Sequence, residues 1–200
     1  MPDYIGAWEY EYKIADTMAE TFALVYGDQF KMPTSSMEIF MEITFDADGT
    51  YCLEYILNEE AINNYCGELA EAFEDAMYAQ YSAMGIDRDQ TDEMIEKLYG
   101  MSLEEYCLQA AESSLSYEAL YNKLVTNNAY GYHKLEDGKI YVTPEKDDWD
   151  NIYGYYIYEV DGNELSVEDM YNAETGKLYS DDTLSQSLGS LKLPWVMTRK

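Results

Sequence analysis

Basic side chains are scarce in this chain. Only 12 lysines and arginines stand against 40 aspartates and glutamates, which gives a formal net charge of −28 and a sequence pI near 4.1. A protein with this charge repels the phosphate backbone of nucleic acids and anionic membrane surfaces, so we expect no direct nucleic-acid binding. The excess of acid favours solubility, and it leaves cation binding, a basic protein partner or mimicry of a nucleic acid as open roles.

Long apolar runs are also missing. No run approaches the roughly 18 apolar residues that a membrane-spanning helix needs, so we predict no membrane-spanning segment. The first eight residues, MPDYIGAW, contain no basic region followed by an apolar core, and no signal peptide is visible in them.

The residues that carry most enzyme chemistry are few. His133 is the only histidine, and it lies on a predicted strand beside Tyr130 and Tyr132, where we expect a structural role. The sequence has no Gly-x-Ser-x-Gly nucleophile motif, no phosphate-binding glycine loop and no dinucleotide-binding fingerprint. We therefore predict that the protein is not an enzyme, has no catalytic residues and needs no cofactor.

Disulfide and metal frameworks are equally unsupported. The three cysteines, Cys52, Cys66 and Cys107, are too widely spaced for a disulfide framework or a zinc site. They are either buried free thiols or include a single Cys66–Cys107 bridge. The run Asp46-Ala47-Asp48-Gly49 resembles the start of a calcium loop, but Tyr55 stands where that loop needs Glu. We predict a hairpin turn there and no metal site.

Strand patterns are abundant and fall into two groups. Trp8, Tyr10, Tyr12 and Ile14 alternate with polar residues, which is typical of a strand with one buried face. Two similar segments follow, at 37–45 and 51–57, and a second group comes after residue 126. The candidate strands of that second group are 128–135, 139–143, 153–160, 163–171 and 190–199.

Residues 58–125 show helical spacing instead. Apolar residues recur from Ile62 to Met84 at intervals of three and four, and Ser102 to Glu105 has capping-box spacing at the start of a further helix. Thr17 to Glu20 has the same spacing and predicts a short helix inside a long first loop. We predict one domain over 1–200, with strands in 6–57 and 127–200 and an insertion of three to four helices at 58–125.

The ends of the strand series carry a second architectural signal. Trp8 opens the first strand and Arg199 closes the last, so the two side chains meet if the sheet closes on itself and the cation covers the indole ring. Eight strands joined mostly by short turns close readily. We predict an α+β, mainly β fold: an eight-stranded antiparallel up-and-down barrel with a helical insertion after the third strand.

Tyrosine is the compositional excess, with 22 residues. Tyrosine suits the half-buried surface of a sheet, so many of these need no functional explanation. In a barrel interior, aromatic residues could line a ligand cavity with apolar faces and polar tips, or they could fill the core. The candidate ligand-binding residues are Tyr10, Tyr12, Tyr153, Tyr155 and Trp195.

These pieces resemble a lipocalin-type (calycin) barrel. The resemblance lies in Gly6-Ala7-Trp8, the long first loop, the hairpin meander and Arg199 within the closing segment 193–199. The chain is also similar to lipocalin-like domains of secreted or lipid-anchored proteins from Gram-positive gut bacteria, which carry an acidic helical insertion and a segment like Met101 to Tyr106. Their function is unassigned. The resemblance implies a lipocalin-like fold and an extracellular or cell-envelope location.

Two functions are compatible with these observations. The first is a monomeric, non-enzymatic extracellular binding module that holds a small apolar or aromatic ligand in the barrel. The alternative is an acidic interaction module that engages a basic protein partner, with nucleic-acid mimicry as its extreme form. An open barrel interior lined by tyrosines would favour the first function, and a filled barrel with a continuous acidic surface would favour the second.

Overall fold

The computed structural model describes residues 2–13, 18–19, 22, 24–25, 27, 30–181 and 193–200. The chain divides into two compact units. The barrel unit comprises Met1–Tyr12, Ile39–Ile56 and Leu124–Lys200, and the helical unit comprises Lys13–Glu38 and Leu57–Lys123.

The described part of the barrel unit contains one antiparallel sheet that closes on itself. Its strands are β1 Gly6–Glu11, β2 Ile39–Phe45, β3 Thr50–Leu57, β4 Ala129–Glu136, β5 Lys139–Thr143, β6 Gly154–Asp161, β7 Glu164–Asn172, β8 Lys177–Leu178 and β9 Trp195–Arg199. Consecutive strands pair from β1 to β7, and β9 lies between β7 and β1 and closes the ring. The predicted eight-stranded antiparallel barrel is therefore confirmed. The two-residue β8, which pairs with the end of β7, was not predicted.

Alternating burial explains why these segments form strands. In β2, Ile39, Met41, Ile43 and Phe45 are buried, and the residues between them are only partly so. Gly49 supplies the positive φ of +90° in the turn that follows, where the Asp46 amide donates to the Thr50 carbonyl at 2.9 Å. The segment Asp46–Thr50 is thus the hairpin turn that the sequence indicates.

One end of the barrel is closed by the first and last strands. Trp8 is directly opposite Arg199 in the β1–β9 pairing, and the guanidinium carbon lies 4.4 Å from the centre of the indole ring. The same guanidinium donates to the carbonyls of Asp3 at 2.8 Å and Ile5 at 3.2 Å. The Trp8 indole N–H donates to the Tyr4 carbonyl at 2.8 Å. The N-terminal segment is thereby fixed across this end.

His133 belongs to the same closed end. Its Nε2 lies 2.8 Å from the Asp46 carbonyl oxygen, which can only accept, so Nε2 carries the proton and Nδ1 accepts from the Tyr4 hydroxyl at 3.2 Å. Burial lowers the pKa of His133 below its usual value, despite the opposing effect of nearby Asp46 and Asp48. The only histidine is therefore a neutral, hydrogen-bonded core residue.

Removal of the Trp8 side chain should be the most damaging change at this end. We expect Trp8→Ala to lower the free energy of unfolding by about 3–5 kcal/mol, because it empties a fully buried core site. Arg199→Ala should cost about 0.5–2 kcal/mol, since it removes one cation–π contact and two hydrogen bonds. Urea denaturation followed by far-ultraviolet circular dichroism measures both. Val196→Ala, at an exposed position of β9, is the control and should change stability by less than about 0.5 kcal/mol. A Trp8→Ala variant no less stable than the control would contradict the assignment.

The described part of the helical unit contains three long helices and a fourth that ends at its boundary. They are α1 Glu59–Ala83, α2 Arg88–Tyr99, α3 Leu103–Leu115 and α4 Tyr117–Leu124. The predicted capping box at Ser102 is confirmed: its hydroxyl accepts from the Glu105 amide at 3.1 Å, and the Glu105 carboxylate accepts from the Ser102 amide at 3.0 Å. None of the helices in the described residues is long and apolar enough to cross a membrane.

The helical unit has its own apolar core. Ile62, Tyr65, Cys66 and Leu69 of α1 are buried, as are Ile95 of α2 and Leu103, Cys107 and Ala111 of α3. Cys66 and Cys107 are free thiols, so they form no bridge, and Cys52 of the barrel unit is free as well. Burial raises the pKa of Cys66 and of Cys107 to about 11, with smaller contributions from nearby glutamates, so both thiols stay protonated.

The helix predicted in the first loop is described only in part. Its capping residues Thr17 and Glu20 lie outside the described residues, as does Ile14 of the first predicted strand, whereas Met18, Ala19, Phe22, Leu24 and Val25 have helical backbone. The Phe22 ring lies 5.3 Å from that of Phe73 in α1 and 5.0 Å from that of Phe30, both measured between ring centres. An aromatic cluster therefore joins this loop to α1 within the helical unit.

A charge in the α1 core should disrupt the helical unit. Leu69 is 1% exposed, so Leu69→Asp places an unpaired carboxylate in an apolar contact and should destabilise the unit by several kcal/mol. Asn64→Asp adds the same charge at an exposed position of the same helix and serves as the control. Helicity at 222 nm and the melting temperature measure the difference. If both variants melted alike, Leu69 would not be a core residue.

Candidate functional site

A cavity of about 840 Å³ occupies one end of the barrel unit. It is bounded by the end of β3, the start of β4, the end of β5, the start of β6, the end of β7 and the start of β9. These termini lie together because neighbouring strands run antiparallel, and they are opposite the end that Trp8 and Arg199 close. The aromatic residues of the wall, which contribute side-chain or backbone atoms to it, include Tyr12, Tyr51, Tyr55, Tyr153, Tyr155, Tyr156, Tyr171, Tyr179 and Trp195.

Close strand packing shapes one wall. A Cβ atom on Gly154, at the start of β6, would lie 1.9 Å from the carbonyl oxygen of Tyr171 on β7. Only glycine permits this approach of the two strands, since any side chain would collide with backbone atoms. Gly154 is therefore required for the β6–β7 pairing at the cavity end.

A pair of buried tyrosines forms the inner part of the wall. The hydroxyls of Tyr51 on β3 and Tyr156 on β6 lie 2.6 Å apart, and the two residues are 4% and 3% exposed. Burial raises the pKa of Tyr156 to about 12 and holds the pKa of Tyr51 well above its usual value, because each phenolate would be desolvated. Both residues are neutral at physiological pH, and each hydroxyl can donate or accept a hydrogen bond.

Two further tyrosines of the wall, Tyr55 and Tyr12, also have raised pKa values. Burial is the main cause that raises the pKa of Tyr55 to about 12, and nearby Tyr156 and Tyr179 raise it further. The pKa of Tyr12 is raised above its usual value by burial and then by Tyr55, Tyr179 and Tyr10. The wall thus combines several aromatic rings with neutral hydroxyls.

Trp195 at the start of β9 completes this group. It is 3% exposed, and its ring meets that of Tyr179 edge to face with 5.7 Å between centres. Its indole N–H is buried and finds no hydrogen-bond acceptor among the residues that the structure describes. A buried donor without an acceptor costs about 1–3 kcal/mol.

Four of the five ligand-binding candidates from the sequence belong to this wall. They are Tyr12, Tyr153, Tyr155 and Trp195. Tyr10 is not part of the wall and packs against the barrel core instead. Tyr153 is 42% exposed, and its hydroxyl donates to the Tyr130 carbonyl at 3.3 Å.

Tyr155 belongs to the wall, but its ring has other partners. Side chains alternate between the two faces of a strand, and Tyr156 is the β6 residue in the buried core. The Tyr155 ring stacks on that of Tyr171 at 5.0 Å and 11°, lies 5.2 Å from that of Tyr141 and carries the Lys139 ammonium at 4.3 Å. The alternation of Tyr153 and Tyr155 in the sequence therefore marks the face of β6 opposite to Tyr156.

Sequence reasoning missed Tyr51, Tyr55, Tyr156 and Tyr179 as wall residues. The alternation of Tyr51, Leu53 and Tyr55 was a usable signal, because residues two apart share a strand face with the buried Leu53. For Tyr156 the signal was ambiguous, since tyrosines occupy four of the six positions from 153 to 158 and mark both faces. Tyr179 lies in a 3₁₀ turn that no periodicity indicates.

The described residues form no recognisable metal site. Among the described residues, no group of three or more histidine, cysteine, aspartate or glutamate side chains is arranged to hold a metal ion. Asp48, in the loop that resembles a calcium site, instead accepts hydrogen bonds from the amide and hydroxyl of Thr50, which lower its pKa.

Comparison of the chain with protein-family models, with curated proteins and with solved structures gives no match. The architecture itself, a closed eight-stranded antiparallel barrel with a helical insertion, is consistent with a lipocalin-like barrel.

The buried tyrosines predict a specific response to alkali. Because the folded-state pKa of Tyr156 is raised, its stabilising effect is complete below about pH 10, the value for an unfolded chain, and is lost as the pH rises through about 12. The free energy of unfolding should therefore fall between pH 9 and pH 11.5, and Tyr156→Phe should make that fall smaller by on the order of 2 kcal/mol. Urea unfolding at pH 9 and at pH 11.5 measures it, and absorbance at 295 nm should show a late-titrating fraction in the folded protein only. Equal pH dependence in both proteins would contradict the assignment.

Proposed function

We propose that this protein is a non-enzymatic binding module that holds a small, largely apolar aromatic molecule in the barrel cavity. The observation that carries the proposal is the cavity itself, with aromatic rings and neutral tyrosine hydroxyls in its wall. Its volume of about 840 Å³ falls within the range of roughly 300–1,000 Å³ that small-molecule sites occupy.

The chemistry of the wall supports this class of ligand. Aromatic rings offer edge and face contacts to a planar molecule, while the hydroxyls of Tyr51, Tyr55 and Tyr156 offer a few oriented polar groups. A long acyl chain would use neither the ring faces nor the tyrosine hydroxyls, so a compact aromatic molecule fits better.

The cellular context is part of the same proposal. We infer that the protein belongs with the lipocalin-like domains of secreted or lipid-anchored Gram-positive proteins, and that it acts outside the cell or in the cell envelope. The barrel with its acidic helical insertion supports this. The cavity lies within one barrel, so a monomer is sufficient for the proposed function.

A second candidate function rests on the helical unit. Residues 58–125 carry 15 acidic and three basic side chains, and Leu98, Tyr99 and Leu108 are exposed among them. Crowding of acids is visible at Glu74, whose pKa is raised first by burial and then by Glu104, Asp75 and Asp92. A basic protein partner would relieve this repulsion and cover the exposed apolar side chains.

Filling the cavity separates these functions. Ala129 is partly buried and belongs to the wall, so Ala129→Trp should occupy the cavity and weaken binding of neutral aromatics by about tenfold or more. A suitable panel is 2-naphthol, indole and coumarin, with dissociation constants from isothermal titration calorimetry. Leu135→Trp adds the same side chain at an exposed position of β4 and should leave binding unchanged.

Each result of this experiment decides between the candidates. Binding by the natural chain and by Leu135→Trp, but not by Ala129→Trp, supports the cavity as the site. If none of the three compounds bound the natural chain, the small-molecule function would fail, and the acidic helical unit would be the better candidate. Equal binding by all three proteins would place the compounds elsewhere on the surface.

A further inference from the structure

Among the described residues, the charged side chains of the cavity wall are all acidic. Asp150 and Glu174, both exposed, belong to the wall, and none of its described residues is lysine, arginine or histidine. An anionic ligand would lose its hydration without gaining a countercharge, and it would meet two carboxylates. Carboxylates, sulfates and phosphates are therefore poor ligands for this cavity.

The aromatic part of the wall favours cationic groups. The hydroxyls of Tyr12, Tyr55 and Tyr179 are near enough to affect one another's ionisation, and the Tyr179 ring meets that of Trp195. Aromatic rings carry negative potential on their faces, and tryptophan and tyrosine are the strongest of them for attracting an ammonium group. Neutral tyrosine hydroxyls also accept hydrogen bonds from an ammonium.

The protein as a whole adds a long-range contribution. Its formal net charge of −28 raises the concentration of cations near its surface and repels anions. The wall and the surface of the protein therefore both favour a cationic ligand over an anionic one. This electrostatic preference operates before any specific contact forms.

We infer that the ligand is an organic monocation: an aromatic amine whose ammonium lies against the tyrosine and tryptophan rings of the cavity wall. The inference rests on the proposed cavity function and narrows it to one charge class. Asp150 and Glu174 supply the negative potential at the wall, and the aromatic rings supply the contact.

Three probes that share a hydroxyphenylethyl group and differ in the charge of their terminal group test this directly. Tyramine is a cation at neutral pH, tyrosol is its neutral alcohol analogue and 3-(4-hydroxyphenyl)propanoate is its anionic counterpart, and all three carry the same phenol. Isothermal titration calorimetry at pH 7 and low ionic strength gives the three dissociation constants. We expect tyramine to bind about tenfold more tightly than tyrosol, and the propanoate to bind most weakly.

A pair of matched variants separates the wall from the general field. Asp150→Asn with Glu174→Gln removes two charges from the wall, and we expect the preference for tyramine to fall by about threefold or more while tyrosol binding stays the same. Glu159→Gln with Glu164→Gln removes two exposed charges from the other end of the β6–β7 pair and should leave the preference unchanged. Tyr179→Leu should weaken tyramine more than tyrosol, because it removes a ring face.

The outcomes distinguish this inference from the function on which it rests. If tyrosol bound as tightly as tyramine, the charge class would be wrong and the cavity would remain a site for neutral aromatics. If the two double variants lost the preference for tyramine over tyrosol equally, the net charge of the protein alone would explain that preference. The inference would then be overturned. Failure of all three probes overturns it too, and the proposed function falls with it only if 2-naphthol, indole and coumarin also fail to bind.

Discussion

The pairing of the first strand with the last is the constraint on which the rest of the structure depends. Arg199 reaches the Ile5 carbonyl across 194 positions of the sequence, and the β1–β9 pairing places it over Trp8. Such a contact forms only when the whole meander has been arranged, since its loop-closure entropy must be offset by the pairing of all the intervening strands. The ion pair of Lys200 with Glu9 at 3.0 Å extends the same seam. A closed ring also removes the exposed strand edges that favour aggregation.

Closure at one end decides where free volume remains. The N-terminal segment and the side chains of Tyr4, Trp8, Phe45 and His133 fill the closed end, with ring centres 5.3–5.5 Å apart where Tyr4, Phe45 and His133 meet. An eight-stranded barrel has room for packed side chains or for one small ligand, and this one divides its interior between the two uses. The polar groups at the filled end are hydrogen-bonded to one another, whereas the other end keeps a free volume of about 840 Å³. That difference is what identifies the cavity as the candidate site.

The sequence was sufficient for the strands and helices because each has a clear period and a clear end. Alternation in Ile39–Phe45, glycines at hairpin turns and the capping box at Ser102 are local signals, and local signals survive into the fold. The wall of the cavity is different, because it depends on which strand face points inward and on turns without periodicity. Tyr155 and Tyr156 are adjacent and of the same type, so composition could not tell the stacked outer ring from the buried one. Whether the interior was open or filled depended on volumes that no pattern of residues encodes.

The abundance of tyrosine follows from the same geometry and has two separate explanations. On the outer face, Tyr141, Tyr155 and Tyr171 form a cross-strand ladder, in which stacking and the Lys139 ammonium stabilise paired strands. On the inner face, Tyr51 and Tyr156 satisfy each other's hydroxyls in a place where leucine would need no partner. Aliphatic residues would need no such pairing, because they bury no group that requires a hydrogen bond. The neutral hydroxyls and ring faces around a cavity of about 840 Å³ are the groups that the proposed ligand would use.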